Sequence, residues 1–169
     1  FVFNMSVGYD LDGIKGRKVN TYINNMMDAG KTAQFKECKK VLTELFPEEK
    51  DFIASISPNV SRSVTLSTLH GCPPQEIERI ASYLLKEKHL HTFVKCNPTI
   101  LGYKTARSIL DSMGYDYIVF DEHHFNEDLQ WEDAVPMFER LQKLADKQDL
   151  EFGLKLSNTF PVDTTRGEL

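Results

Sequence analysis

Apolar residues along this chain fall into two periods. Short runs of three or four apolar or β-branched residues alternate with longer stretches carrying apolar residues at i, i+3, i+4, i+7 spacing. The short runs are Phe1–Phe3, Val64–Leu66, Thr92–Val94, Tyr117–Phe120 and Phe152–Leu154. Each reads as a strand. The longer stretches read as one-sided helices: Val19 to Met27, Phe35 to Phe46, Ile77 to Leu85, Ala106 to Met113, and Ala134 to Ala145. Gly30, Pro47 and Gly114 stand where three of them should stop. Pro73-Pro74 opens the third, and Pro136 reads as part of the first turn of the last. Gly8 to Lys18 reads as a loop, and residues 48–61 as a short helix followed by a loop around Pro58-Asn59.

From Val64 onward the order is strand, helix, strand, helix, strand, helix, strand. That rhythm implies parallel strands joined by right-handed crossovers. Five strands do not close an eight-stranded barrel, which takes roughly 250 residues. The expectation is therefore an α/β fold: an incomplete (β/α) TIM-barrel segment with mainly parallel strands and amphipathic crossover helices, one domain piece over residues 1–169 of a longer chain. The start at Phe1 inside an apolar run, and the end at Leu169 with no helix over the last strand, read the same way. Such a piece leaves strand edges and apolar helix faces open, and a homodimer would cover them.

Bulk properties narrow the function. The net charge of −5 gives no basic footprint for nucleic acid or an anionic membrane. No apolar run approaches the roughly 20 residues of a membrane span. Cys38, Cys72 and Cys96 are odd in number and share no close spacing. They do not suggest a disulfide framework or a self-contained four-cysteine cluster, and they fit a reducing cytoplasm.

Most of the apolar runs end in a polar cluster, and a parallel sheet collects such ends on one face, where ligands bind. After Val64–Leu66 come Ser67, Thr68, His70 and Cys72. A cysteine between a strand and a helix N-terminus can have a depressed pKa, and with His70 beside it Cys72 can act as acid, base or nucleophile. The bland alternative is a tight Gly-Cys-Pro-Pro turn with a small buried thiol. After Thr92–Val94 come Lys95, Cys96 and Asn97. A lysine in an apolar strand needs an anion or a polarised acceptor, either a ligand or a carboxylate such as Glu122. Lys155 poses the same question, followed by Ser157, Asn158 and Thr159. Asn4 and Ser6 end the first run. Asp121-Glu122-His123-His124 has the composition of a metal site, but neighbours on a strand point to opposite faces, so ligands would be needed from elsewhere. There is no Gly-x-Gly-x-x-Gly or P-loop. Phe93 to Thr99 and Gly153 to Thr159 echo one another over seven residues.

Several blocks resemble one family: Phe3 to Tyr9, Thr65 to Pro74, Phe93 to Thr99, and Lys155 to Thr159. They are similar to the family named for a selenate reductase flavin/iron–sulfur subunit. Its corresponding domain is a barrel like that of dihydroorotate and dihydropyrimidine dehydrogenases. The resemblance implies an oxidoreductase with FMN on the carboxyl-end face. Lys95 then contacts the flavin with Lys155 as its rival, Asn97, Asn158, Thr159 and Asn4 are cofactor-binding, and Cys72 with His70 does acid/base work. Leu69-His70-Gly71 departs from the pyrimidine enzymes, in which an asparagine precedes the cysteine. The resemblance further implies iron–sulfur and FAD/NADPH groups in other domains and molybdenum-containing oxidoreductase subunits as partners. A scaffold barrel without catalysis, and a metal-dependent barrel enzyme, are the competing readings.

Overall fold

A computed structural model describes residues 3–67, 71–156, 158–159 and 162–165. Four parallel strands form one sheet: β1 (Asn4–Val7), β2 (Ser63–Ser67), β3 (His91–Cys96) and β4 (Phe152–Leu156). Spatial order follows chain order. An α/β sheet wound in one direction, each strand placed beside its predecessor, is how a (β/α) barrel starts, and the fold matches that expectation.

Between β1 and β2 run α1 (Leu11–Lys15), α2 (Arg17–Met27), α3 (Ala33–Leu45), a 3₁₀ turn (Pro47–Glu49) and α4 (Lys50–Ser55). The segment read as a loop from Gly8 to Lys18 thus holds a helix. Asp10 caps α1 by accepting from the Gly13 amide at 2.8 Å, a local signal that periodicity over five residues cannot register. Thr32 caps α3 in the same way. Between β2 and β3 lies α5 (Pro74–Lys86), with proline in its first turn. Between β3 and β4 come a 3₁₀ turn (Pro98–Leu101), α6 (Tyr103–Ser112), α7 (Glu122–Glu127) and α8 (Trp131–Lys147). Pro136 is the sixth residue of α8, a turn deeper than its sequence position suggests.

Two further expectations are corrected. The first strand occupies Asn4–Val7 rather than the run beginning at Phe1, and residues 1–2 lie outside the described residues. Tyr117–Phe120 forms no strand, so among the described residues the sheet has four strands and β4 pairs directly with β3. The Val119 carbonyl instead accepts from the Asp163 amide at 2.8 Å, and Phe120 packs in a small second core with Phe125 and Tyr103. β3 is already paired on both sides, and this apolar run buries its side chains in the second core instead of joining a sheet edge.

The main core lies between one sheet face and the helices. Met5, Val7, Val64, Leu66, Val94 and Cys96 meet Ile77, Ile80, Ala81, Leu84 and Leu85 of α5, and Ala134, Met137, Leu141 and Ala145 of α8. Arg140 of α8 clasps Glu78 of α5 through two hydrogen bonds of 2.7 Å. This pair holds the Glu78 carboxyl below its ordinary range. Among the described residues no helix is long and apolar enough to cross a membrane.

Candidate functional site

The register sorts the strand side chains into two faces, because paired residues on parallel strands point the same way and alternate residues point oppositely. Thr92, Val94 and Cys96 face the helices and are buried. His91, Phe93 and Lys95 face away. On that second face, Ser6, Thr65, Phe93 and Gly153 form one row, and Ser67, Lys95 and Lys155 form the next, at the carboxyl ends. Lys95 is half-buried and Lys155 is exposed. Neither makes an ion pair among the described residues, and Glu122 lies on α7 rather than beside them.

Gly153 is required where it stands. A Cβ there would lie 2.7 Å from two atoms of the Phe93 ring, which covers the position from the neighbouring strand. The bare backbone leaves space for the ring one row below the lysines.

Beyond the strand ends, three segments meet at Asp128, a buried residue in the link between α7 and α8, and a fourth joins through Asn97. Its Oδ1 accepts from the Gly71 amide at 2.9 Å. Its Oδ2 accepts from the Thr99 hydroxyl at 2.7 Å and from the Asn97 amide at 3.3 Å. Asn97 Oδ1 in turn accepts from Asn158 Nδ2 at 2.8 Å. The turns after β2, β3 and β4 are thus tied together by one carboxylate and one amide. Gly71 holds φ near +73°, a conformation that suits glycine and turns its N–H toward Asp128. Cys72, Lys95, Cys96, Asn97, Thr99 and Asp128 share the wall of a void of about 10 Å³, at most the space of one water.

The Cys72 thiol is pushed up from its ordinary pKa, first by burial and then by the Glu76 carboxylate in the first turn of α5. This corrects the expectation of a depressed value: loss of solvent and a nearby negative charge both favour the neutral thiol. Cys72 is therefore a neutral thiol at neutral pH, suited to donating a proton rather than attacking as a thiolate. Cys96, on the helix side, is pushed up to about 11 by burial.

The structure brings Cys72, Lys95, Asn97, Lys155 and Asn158 to one end of the sheet, with Thr159 exposed next to Asn158. Asn4 is elsewhere. It begins β1, pairs with Ser63 at the amino end, and donates to Thr65 Oγ1 at 2.6 Å. The strand shift from Phe1–Phe3 to Asn4–Val7 moved it from the end of the run to its start. His70, Thr68 and Ser157 lie outside the described residues. Asp121 is the N-cap of α7, accepting from the His123 amide at 2.8 Å, and His123 pairs with Glu127 one turn on at 3.1 Å. The acidic–histidine cluster is thus a helix start, and among the described residues no three His, Cys, Asp or Glu side chains converge as metal ligands. Asp128 is the member that sequence reasoning missed. It follows Glu127 in an acidic stretch, and local pattern gives no sign that one of the two is buried.

Comparison with known proteins agrees with this architecture. The family described as "Oxidoreductase YgfK, N-terminal TIM-barrel domain" matches residues 1–169. The protein named "Putative oxidoreductase YgfK" from Escherichia coli strain K12 is 43% identical over 184 aligned positions, and that from strain O157:H7 is equally similar. The alignment covers 100% of this chain and 18% of each relative, so the chain spans about a fifth of their length. No solved structure matches the chain. The chain belongs to the family of N-terminal TIM-barrel domains of YgfK-type oxidoreductases.

Proposed function

We propose that this chain supplies part of an FMN-type barrel in a longer oxidoreductase, of the kind named for selenate reductase, that passes electrons between flavin and iron–sulfur centres. The observation that carries this reading is the Ser67–Lys95–Lys155 row: two adjacent cations with no ion-pair partner among the described residues, on the open face at the carboxyl ends of the strands. Cations in such a place favour an electron-rich ring edge or an anion, since two like charges side by side otherwise repel. FMN would supply hydride and single-electron chemistry. Lys95 and Lys155 would hold its ring, and the Asn97–Asn158 amide pair would set the edge of the site. Cys72, kept neutral by burial, would deliver a proton to a ring being reduced. Iron–sulfur and FAD/NADPH groups would belong to other parts of the longer protein, and molybdenum-containing subunits would be its redox partners.

The flavin phosphate in barrels of this type rests on loops after the last two strands, so this chain alone should hold FMN weakly. The deciding experiment is a visible absorption spectrum of the 169-residue chain beside a protein extended through the rest of the barrel. Flavin absorbance in the extended protein, lost on Lys95→Ala, supports the reading. No flavin in either, even after reconstitution with FMN, removes it.

One observation favours a second reading, a scaffold barrel between redox subunits. Asn97, Thr99, Asp128 and Asn158 satisfy one another and leave almost no void. Under that reading Lys95→Ala leaves any flavin content unchanged.

A further inference from the structure

We propose that Asp128 is the positioning residue of this site: a side chain from the α7–α8 link that fixes where Cys72 stands relative to Lys95. Gly71 directly precedes Cys72, and its amide is held by Asp128 Oδ1 at 2.9 Å. The other oxygen holds Thr99 at 2.7 Å and Asn97 at 3.3 Å, in the turn that leaves β3 two residues after Lys95. The carboxylate therefore spans the two turns whose separation sets the distance from thiol to lysine. Asn97 extends the tie to Asn158 after β4.

The Asp128 backbone is anchored as well. Gln130 Nε2 donates to the carbonyls of Asp128 at 2.6 Å and Phe125 at 2.7 Å, which tethers the hub to α7. Phe125 is buried in the second core with Phe120 and Tyr103. This gives the second core a role in the site. The segment that finds no place in the sheet becomes a buttress behind the carboxylate. A hydrogen bond from an amide to a buried carboxylate is among the stronger ones, and a neutral replacement cannot face three donors equally well. The functional meaning of the position rests on the reading of Cys72 as proton donor, but the positioning itself can be measured without flavin.

The test is the alkylation rate of Cys72 by iodoacetamide at pH 8, followed by mass spectrometry in the full-length protein carrying Cys38→Ser. The urea denaturation midpoint is the control for general loosening, because Cys96 lines the same void as Cys72 and precedes Asn97. Asp128→Asn should raise the Cys72 rate by about tenfold, measured well below its urea midpoint, as the Gly71–Cys72 turn comes free. Thr99→Val, which keeps the shape and removes one donor, should raise it by about threefold. Should Asp128→Asn fail to fold, Thr99→Val carries the test. An unchanged Cys72 rate overturns the proposal. So does a rise no larger than that of a core variant that lowers the midpoint equally, such as Leu141→Val, which would make Asp128 a stabilising residue only. Absence of flavin from the extended barrel would remove the proposed function while leaving this result to stand.

Discussion

Lys95 and Lys155 stand side by side on neighbouring parallel strands, each the partner of the other in the β3–β4 register. The strand parts of two segments that echo one another in sequence, Phe93–Cys96 and Gly153–Leu156, are thereby aligned in space. The pairing puts two positive charges next to each other with no described carboxylate between them. Without a ligand this arrangement costs stability. Lys155→Met should therefore stabilise the ligand-free chain by about 0.5 kcal/mol at low salt, with the gain shrinking as salt screens the pair. Urea denaturation at two ionic strengths measures this, and a loss of stability at low salt would show that Lys155 has a favourable partner.

Gly153 lies under the Phe93 ring, with no space for a methyl group. Gly153→Ala should destabilise the chain by about 1–3 kcal/mol, because the ring must leave its position. Phe93→Leu in the same molecule should recover most of the loss, since a smaller side chain can yield. Thermal unfolding of the single and double variants is the check; additive effects would mean that ring and glycine do not oppose each other.

Cys96 makes stability fall at alkaline pH. Its thiol is pushed up to about 11 from 9.0 by burial, so the folded state keeps a proton that the unfolded state releases. The contribution is fully present below the unfolded value and is lost as pH rises from about 9 toward 11, by up to about 2 kcal/mol. Cys96→Ala should flatten this alkaline limb while lowering stability at pH 7 through the lost contacts. Denaturation midpoints at pH 7, 9 and 10.5 decide it. Parallel curves for the two proteins would assign the alkaline loss to other groups.

Leu154 and Leu156 lie in the rows that the helices cover elsewhere in the sheet, yet Leu156 is 72% exposed. They also sit on β4, whose far edge carries no paired strand among the described residues. The isolated 169-residue chain should therefore self-associate, and Leu156→Lys should shift it toward monomer, since a charge on an edge strand opposes pairing. Light scattering over a range of concentrations reads the outcome. A wild-type chain monomeric throughout would show that this edge is covered from within.

Much of the scaffold was legible locally. Ile77, Ile80, Leu84 and Leu85 mark α5 by their spacing alone, and Met137, Leu141 and Ala145 do the same for α8, because a helix buried on one side must repeat near 3.6 residues. Val64–Leu66 and Thr92–Val94 declare strands through dense apolar and β-branched residues. Tyr117–Phe120 has the same composition and forms none. A suitable composition does not decide strand formation: β4 takes the place beside β3, and this run packs against Phe125 and Tyr103 in the second core.

The site divides in the same way. Sequence alone marked Cys72, Lys95, Asn97, Lys155 and Asn158, since reactive side chains just past apolar runs must collect where parallel strands end. It also marked the strands at Val64–Leu66, Thr92–Val94 and Phe152–Leu154 and the main helices between them, which depend on periodicity and turn residues. Tertiary structure decided the rest. Register set Lys95 against Lys155 and sent Asn4 to the opposite end of the sheet. Burial, and the Glu76 carboxylate, raised the Cys72 thiol. Packing of the second core carried Asp128 into contact with Gly71 and Thr99, 57 and 29 residues away in sequence. Each of these depends on which distant groups become neighbours and how much water they lose, and no local pattern in the chain encodes either.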